Sequence, residues 1–321
     1  MRRRSLIRLA ATAGLLPIAS RAQTFPSKQL RFIVSTPPAG GMDIVARILA
    51  QELTRSAGLS VLVDNKPGGG GTIAARELVR AAPDGHTILL ANVGILAVNP
   101  YAMKDAGYSP QTDMSPVCLA VDFSNVLVVH PDVPARSLAE YLELAKRPEG
   151  IDYGTSGFGS AGHLAGELLR VRSGTKLNHV PFRGGGPAMN DLVAGHLASV
   201  MASGPTASTL VREGRIRALA LTSAQRTPFD PDVPTIADQG FPGYAATNWY
   251  AFVASSKVPP ELVASLNALL TRALNAPDVR AAYAQQGMVT IAGTMDHAAS
   301  HITRETDIWR KVIADAGIRM E

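Results

Sequence analysis

Apolar residues recur along the chain in two alternating patterns, short β-rich runs and longer stretches with helical spacing. Leu30-Arg31-Phe32-Ile33-Val34 predicts a strand, stopped by Pro37-Pro38-Ala39-Gly40-Gly41. From Asp43 onward, Ile44, Ile48, Leu49 and Leu53 fall on one helical face. Residues 60–63 predict a second strand, 72–79 a helix and 87–90 a third strand. The alternation continues with a strand at 125–129, a helix at 138–146, a strand at 151–154, a helix over 161–171 and a strand at 179–182. A short helix is expected at 191–196, small strands at 198–202 and 216–221, and helices at 259–273 and 297–314. Strands alternating with helices imply βαβ units with right-handed crossovers, and so an α/β fold. Residues 117–129 and 248–254 read as long apolar extended segments that would cross twice between two lobes. The expected division is residues 23–124 plus 249–321 for lobe 1 and 125–248 for lobe 2, although a single doubly wound sheet gives the same alternation.

The first 22 residues read differently. Met1 to Arg4 with Arg8 form a basic start, 9–18 an apolar stretch, and Ser20-Arg21-Ala22 a small-x-small exit. This is the layout of a secretory signal peptide, too short in its apolar part to span a bilayer. Arg3-Arg4 also weakly suggests twin-arginine export. The mature chain is expected to start at Gln23, outside the cytoplasm. The formal charge of +5 belongs to the leader: without its five arginines, 26 Lys+Arg face 26 Asp+Glu. A neutral chain without a basic run excludes a nucleic-acid partner. Cys118 is the only cysteine, so no intramolecular disulfide forms, and its apolar neighbours predict a buried, inert thiol.

In open α/β sheets, ligands sit beyond the C-terminal ends of the strands. Three loops at such ends are rich in glycine: 36–43, 154–160 and 183–187. Glycine lets backbone amides approach a ligand, and a helix N-terminus adds free donors and partial positive charge. That combination suits a carboxylate without a charged side chain. Asp43 lies inside the first loop, where it either caps its helix or orients the loop; Asp191 is expected at a helix start, in a plain capping role.

Other chemistries are poorly supported. Gly157-Phe158-Gly159-Ser160-Ala161-Gly162 fits G-x-G-x-x-G, but 176–180 lack the acidic residue a dinucleotide site needs. No G-x-S-x-G elbow occurs. Ser160 and His163, three residues apart at a helix start, are the alternative, a serine-type hydrolase pair, though a capping serine is the commoner arrangement. His297, His301 and Glu305 share a helix face but span ~12 Å, too far for one ion, and read as a solvated face. No metal, no cofactor and no enzymatic activity is expected.

The stretches Pro37-Pro38-Ala39-Gly40-Gly41-Met42-Asp43-Ile44-Val45-Ala46-Arg47, Val63-Asp64-Asn65-Lys66-Pro67 with Gly68 to Gly71, Asp152-Tyr153-Gly154-Thr155-Ser156-Gly157-Phe158-Gly159-Ser160, His179-Val180-Pro181-Phe182-Arg183-Gly184 and Pro231-Asp232-Val233-Pro234-Thr235 run in order through the mature chain. With these it resembles the Bug family of periplasmic solute receptors, the TctC-like proteins of tripartite tricarboxylate transporters. The resemblance implies a type II periplasmic-binding-protein fold of two lobes closing on a small carboxylate. It also implies a monomer that delivers its ligand to integral-membrane transporter subunits or a sensor kinase. The family's loop positions map to Thr36, Ala39, Gly40, Gly41 and Asp43 in lobe 1. In lobe 2 they map to Thr155, Ser156, Gly157 and Ser160, with Arg183 and Gly184 on a facing turn. Ala39 replaces a common glycine and Met42 a common threonine. Ser203 stands in a stretch where some relatives carry an acid, which argues against amino-acid ligands.

Overall fold

The computed structural model describes residues 25–319, so the expected leader and its cleavage site lie outside the described residues. The elements run β1 Leu30–Val34, α1 Gly41–Ala57, β2 Val61–Asn65, α2 Thr72–Arg80, β3 Thr87–Asn92, a π-helical turn Gly94–Val98, α3 Asn99–Ala102 and α4 Pro110–Asp113. Then follow β4 Met114–Val129, α5 Leu138–Ala145, β5 Ile151–Thr155, α6 Ala161–Ser173, β6 Leu177–Pro181, α7 Gly185–Val193, β7 Ser199–Ser203, α8 Gly204–Arg212 and β8 Arg217–Leu221. The chain ends with β9 Thr247–Ser255, α9 Pro260–Leu274, α10 Pro277–Gln285, β10 Val289–Ala292 and α11 Met295–Ala316.

The strands form one curled sheet ordered β2-β1-β3-β9-β4-β7-β5-β6, with β8 and β10 also on β4. β2, β1 and β3 are parallel, as are β6, β5 and β7, so each set ends its strands on a common edge. β4 ties the sets together: residues 114–124 pair with β9, and residues 125–129 with β7 and β8. Pro116 lacks the amide a ladder needs, and the register slips beside it, between Pro116 and Cys118. The second passage runs alongside. Ala246 N donates to Thr222 O at 2.8 Å, Thr222 Oγ1 donates to Ala246 O at 2.7 Å, and Thr247 then pairs with Ser124. Two lobes joined by two crossover strands result, which resolves the alternative of a single doubly wound sheet.

Strand residues buried on both faces explain the apolar runs read from sequence. Phe32, Ile88, Leu90 and Phe252 fill the lobe-1 core under α1 and α9, with Phe32 and Phe252 tilted at 5.1 Å. Cys118 is fully buried there, and burial pushes its thiol up to about 12, which makes it inert as expected. In the other lobe, Val126, Val128, Leu192 and Leu221 pack under α7 and α8.

Three readings are corrected. Asp191 lies in the last turns of α7, not at its start, because the glycines before it and Pro187 open the helix early; proline is tolerated in a first turn. Helix α8 was missed behind its Gly204-Pro205 opening. The face of α11 bearing His301 and Glu305 is not simply solvated. Glu305 Oε2 accepts from Trp249 Nε1 at 3.1 Å and Trp309 Nε1 at 3.0 Å, and His301 packs edge-on to Trp249.

The crossover holds one costly charge. Asp122 of β4 accepts from Thr247 Oγ1 of β9 at 2.9 Å. Burial pushes its carboxyl up to about 6, with Glu305 adding to the rise and the Thr247 bond opposing it. An acid whose folded pKa exceeds the ordinary ~3.9 destabilises the fold as pH rises from about 4 through 6. Asp122→Asn is therefore expected to melt a few degrees above wild type at pH 8 and level with it at pH 4, in parallel thermal melts. A constant offset at both pH values would show that the charge is not the cause.

Candidate functional site

The two parallel strand sets turn their C-terminal edges toward the crossover, and the glycine-rich loops lie there. In lobe 1, β1 leads through residues 35–40 into α1, whose N-cap, Gly40, makes no side-chain capping bond. The first-turn amides of α1 have no intrahelical carbonyl to bond. Gly40 N bonds back to Pro37 O at 3.1 Å, closing a tight turn. A Cβ on Gly40 would meet Thr36 Cβ and Oγ1 at 3.0 Å, which accounts for the glycine. Thr36 Oγ1 is buried without a partner among the described residues.

Asp43 orients this loop. Its carboxylate is 2% exposed and accepts from Ala39 N, Arg47 Nε and Asn65 Nδ2, each at 2.9 Å. Burial alone would raise its pKa; the three hydrogen bonds and the Arg47 charge outweigh it and hold the carboxyl below its ordinary value. Asn65 also donates to Thr36 O at 2.9 Å, so the end of β2 fastens the end of β1. Of the two roles read for Asp43, the geometry selects loop orientation. Ala39 has φ +64°, a left-handed conformation that costs an L-residue ~1–2 kcal/mol, and its amide bond to Asp43 helps hold it there.

In lobe 2, Thr155 ends β5 fully buried. Its Oγ1 lies 2.7 Å from His179 Nε2 and accepts from Gly157 N at 3.1 Å. The side chain of Ser156 is exposed. A Cβ on Gly157 would lie 3.1 Å from Phe182 O, so the turn carrying Arg183 and Gly184 packs against this loop. Arg183 itself is exposed, and Gly184 caps α7 at φ +115°. Ser203 caps α8, faces Asn125 across the β4–β7 pair and has its hydroxyl 3.2 Å from Thr206 Oγ1.

Ser160 and His163 do not form a nucleophile and base. Ser160 Oγ accepts from the backbone amide of His163 at 3.2 Å, a helix cap, while the ring Nδ1 faces Gly159 N at 3.2 Å. Burial lowers the His163 pKa, which keeps the ring neutral and this nitrogen an acceptor. The ring stacks on His179 at 4.1 Å, with Phe158 edge-on to both. Burial first, and then His163, push His179 down to about 3. No group of three metal-ligating side chains occurs among the described residues.

The two rims meet. A Cβ on Gly94, in the turn after β3, would lie 2.6 Å from the carbonyl oxygen of Gly159, in the loop after β5. The structure thus brings Gly94 against the 155–160 loop, with 36–43 on the same strand edge as Gly94 and Ser203 beside the crossover. Sequence reading missed Asn65, Arg47, Gly94, His179 and Tyr250. Asn65 stood in a motif recognised only as a resemblance, and Tyr250 gave no signal at all.

The profile of the TctC family, described as tripartite tricarboxylate transporter family receptor, matches residues 45–318. The BugT protein of Bordetella pertussis is 34% identical over 313 residues, covering 97% of this chain and 96% of its own length. Among solved structures, Rpa4515 of R. palustris with adipate superposes with TM-score 0.86 at 33% identity, over 92% of this chain and 99% of that one. MatC of Rhodopseudomonas palustris with bound malate gives TM-score 0.81 at 29% identity, over 90% and 100%. The architecture is the type II periplasmic-binding-protein fold.

Proposed function

The chain belongs to the tripartite tricarboxylate transporter receptor family, periplasmic solute-binding receptors and not enzymes, and we propose that it takes a small carboxylate, dicarboxylates first, between its lobes. The observation that carries this reading is the contact between the rims, Gly94 after β3 against Gly159 in the glycine-rich loop after β5, with the glycine-opened N-terminus of α1 on the same strand edge as Gly94 and no cationic side chain needed to hold an anion. Malate and adipate in the two structural neighbours support a ligand of that length and charge.

In this reading one carboxylate meets the amides of Gly40 and Gly41 and the hydroxyl of Thr36, with Ala39 and Asp43 shaping the loop. Thr155, Ser156, Gly157 and Ser160 close over the ligand from the other side, and Arg183, Gly184 and Ser203 border the far end. Lobe 1 comprises residues 23–124 and 249–321 and lobe 2 residues 125–248, hinged where β4 and β9 pass between them. The precursor is exported and cleaved after about Ala22, and the loaded monomer docks on membrane transporter subunits or a sensor.

The test is a calorimetric titration of mature protein, refolded to strip carried-over ligand, with mono-, di- and tricarboxylates, amino acids and aromatic acids. Saturable heat with one carboxylate class is the expected result, with a thermal stabilisation of ~2.7 kcal/mol at a hundredfold excess over Kd. Binding of a cationic or neutral solute instead, with none of the acids, would overturn it.

A further inference from the structure

Tyr250 lies on β9, one of the two strands that pass between the lobes, at the position paired with Asn92 of β3 and Val121 of β4. Its ring is 6% exposed and fixed edge-on to Phe123 at 5.2 Å. Its hydroxyl lies 3.0 Å from where a Cβ would stand on Gly41, the first residue of α1. That hydroxyl makes no hydrogen bond to a described residue, and it is not sealed from solvent. At the preceding residue, Thr36 Oγ1 stands 3.0 Å from the Cβ position of Gly40, buried and without a partner among the described residues. A buried hydroxyl left unpaired costs the fold free energy unless something arrives to accept its proton.

Two hydroxyls without a protein partner, the buried one of Thr36 and that of Tyr250, therefore stand beside the amides that open α1. A side chain at residue 41 would press on the tyrosine oxygen. Burial raises the Tyr250 pKa, so the group remains a donor at every physiological pH.

We propose that Tyr250 Oη donates a hydrogen bond to the ligand carboxylate bound at the N-terminus of α1. A crossover strand thereby contributes directly to recognition. The inference rests on the receptor reading above. It adds a mechanical consequence: the anion bridges α1 to the strand on which the second lobe turns.

The experiment is calorimetry of wild type and Tyr250→Phe with malate, adipate, citrate and benzoate, alongside melts of the ligand-free proteins. Loss of a hydrogen bond to a charged group should weaken binding about ten- to hundredfold. The ligand-free melting temperature should stay within a degree or two, because the lost hydroxyl bonds nothing in the protein. Gly41→Ala, which crowds the same oxygen without removing it, should weaken binding in the same direction. If wild type binds an acid and Tyr250→Phe binds it within twofold, the inference is wrong and the receptor reading stands. If wild type binds none of the four, the carboxylate reading fails and the inference falls with it. Should Tyr250→Phe melt well below wild type, the hydroxyl is structural, which also overturns the inference.

Discussion

Replacing Asp43 by alanine is expected to lower the melting temperature by roughly 5–10 °C and to weaken ligand binding at least tenfold. The carboxylate is the shared acceptor for Ala39 N, Asn65 Nδ2 and Arg47 Nε. Alanine leaves Ala39 N and one of the two Nδ2 hydrogens of Asn65 without an acceptor in a part-buried setting, each costing ~1–3 kcal/mol. Arg47 is half exposed, so its freed charge turns to water and adds little. A total near 3 kcal/mol at ~2–3 °C per kcal/mol, the lower part of the range because the chain is long, gives about 6–9 °C, within the stated range. Binding suffers because Ala39 then has nothing to hold it at positive φ, and the turn that aims Gly40 and Gly41 relaxes.

The pH dependence has a definite sign. The folded-state pKa of Asp43 is depressed, so its contribution is complete above the ordinary carboxylate value of ~3.9 and disappears as pH falls below it through the folded pKa. The gap between wild type and Asp43→Ala should thus be constant from pH 8 to 5 and narrow below 4. A loss of less than 2 °C at pH 7 would mean that the loop is held by something other than this carboxylate.

The architecture was legible where apolar runs left no choice. β4 and β9 were visible as long extended segments because a strand passing between two packed lobes is buried along most of its length. Elements with weak apolar stripes were not. α8 opens with Gly-Pro, α10 carries only Val279 and Tyr283 into the core, and the four-residue β10 has no pattern of its own. The loops of the candidate site were legible for a chemical reason, since glycine clusters beside helix starts mark backbone-built anion sites. Their partners were not. Asn65 and Tyr250 reach the site by strand pairing and Gly94 by the turn that follows β3, and their local sequence carries no trace of the neighbour that gives them a role. Glu305 shows the opposite failure. Its helical spacing with His301 is real, but only the fold reveals that the face lies against Trp249.

Gly94→Val is expected to weaken ligand binding about a hundredfold while leaving the ligand-free melting temperature nearly unchanged. Gly94 lies outside the left-handed region, so its constraint is space and not backbone conformation. A Cβ there would stand 2.6 Å from Gly159 O, and backbone on the opposite rim has little freedom to yield. Asn92 Oδ1, 3.3 Å from the same position, bonds Ile95 N at 3.1 Å and blocks sideways relief. The branched side chain must then hold the rims apart, and the ligand loses the contacts of Thr155 and its loop while keeping those of α1. Each tenfold loss corresponds to ~1.4 kcal/mol, so a hundredfold loss asks for ~2.7 kcal/mol of closure energy, the size of one or two charge-assisted hydrogen bonds. Open lobes have no such clash, which is why stability without ligand should survive. Gly94→Ala, with only the Cβ, should fall between wild type and valine, and small-angle scattering of ligand-saturated Gly94→Val should show the more extended form. Wild-type affinity in the valine variant would mean that binding does not bring these rims together, and the closing-lobe mechanism would have to be abandoned.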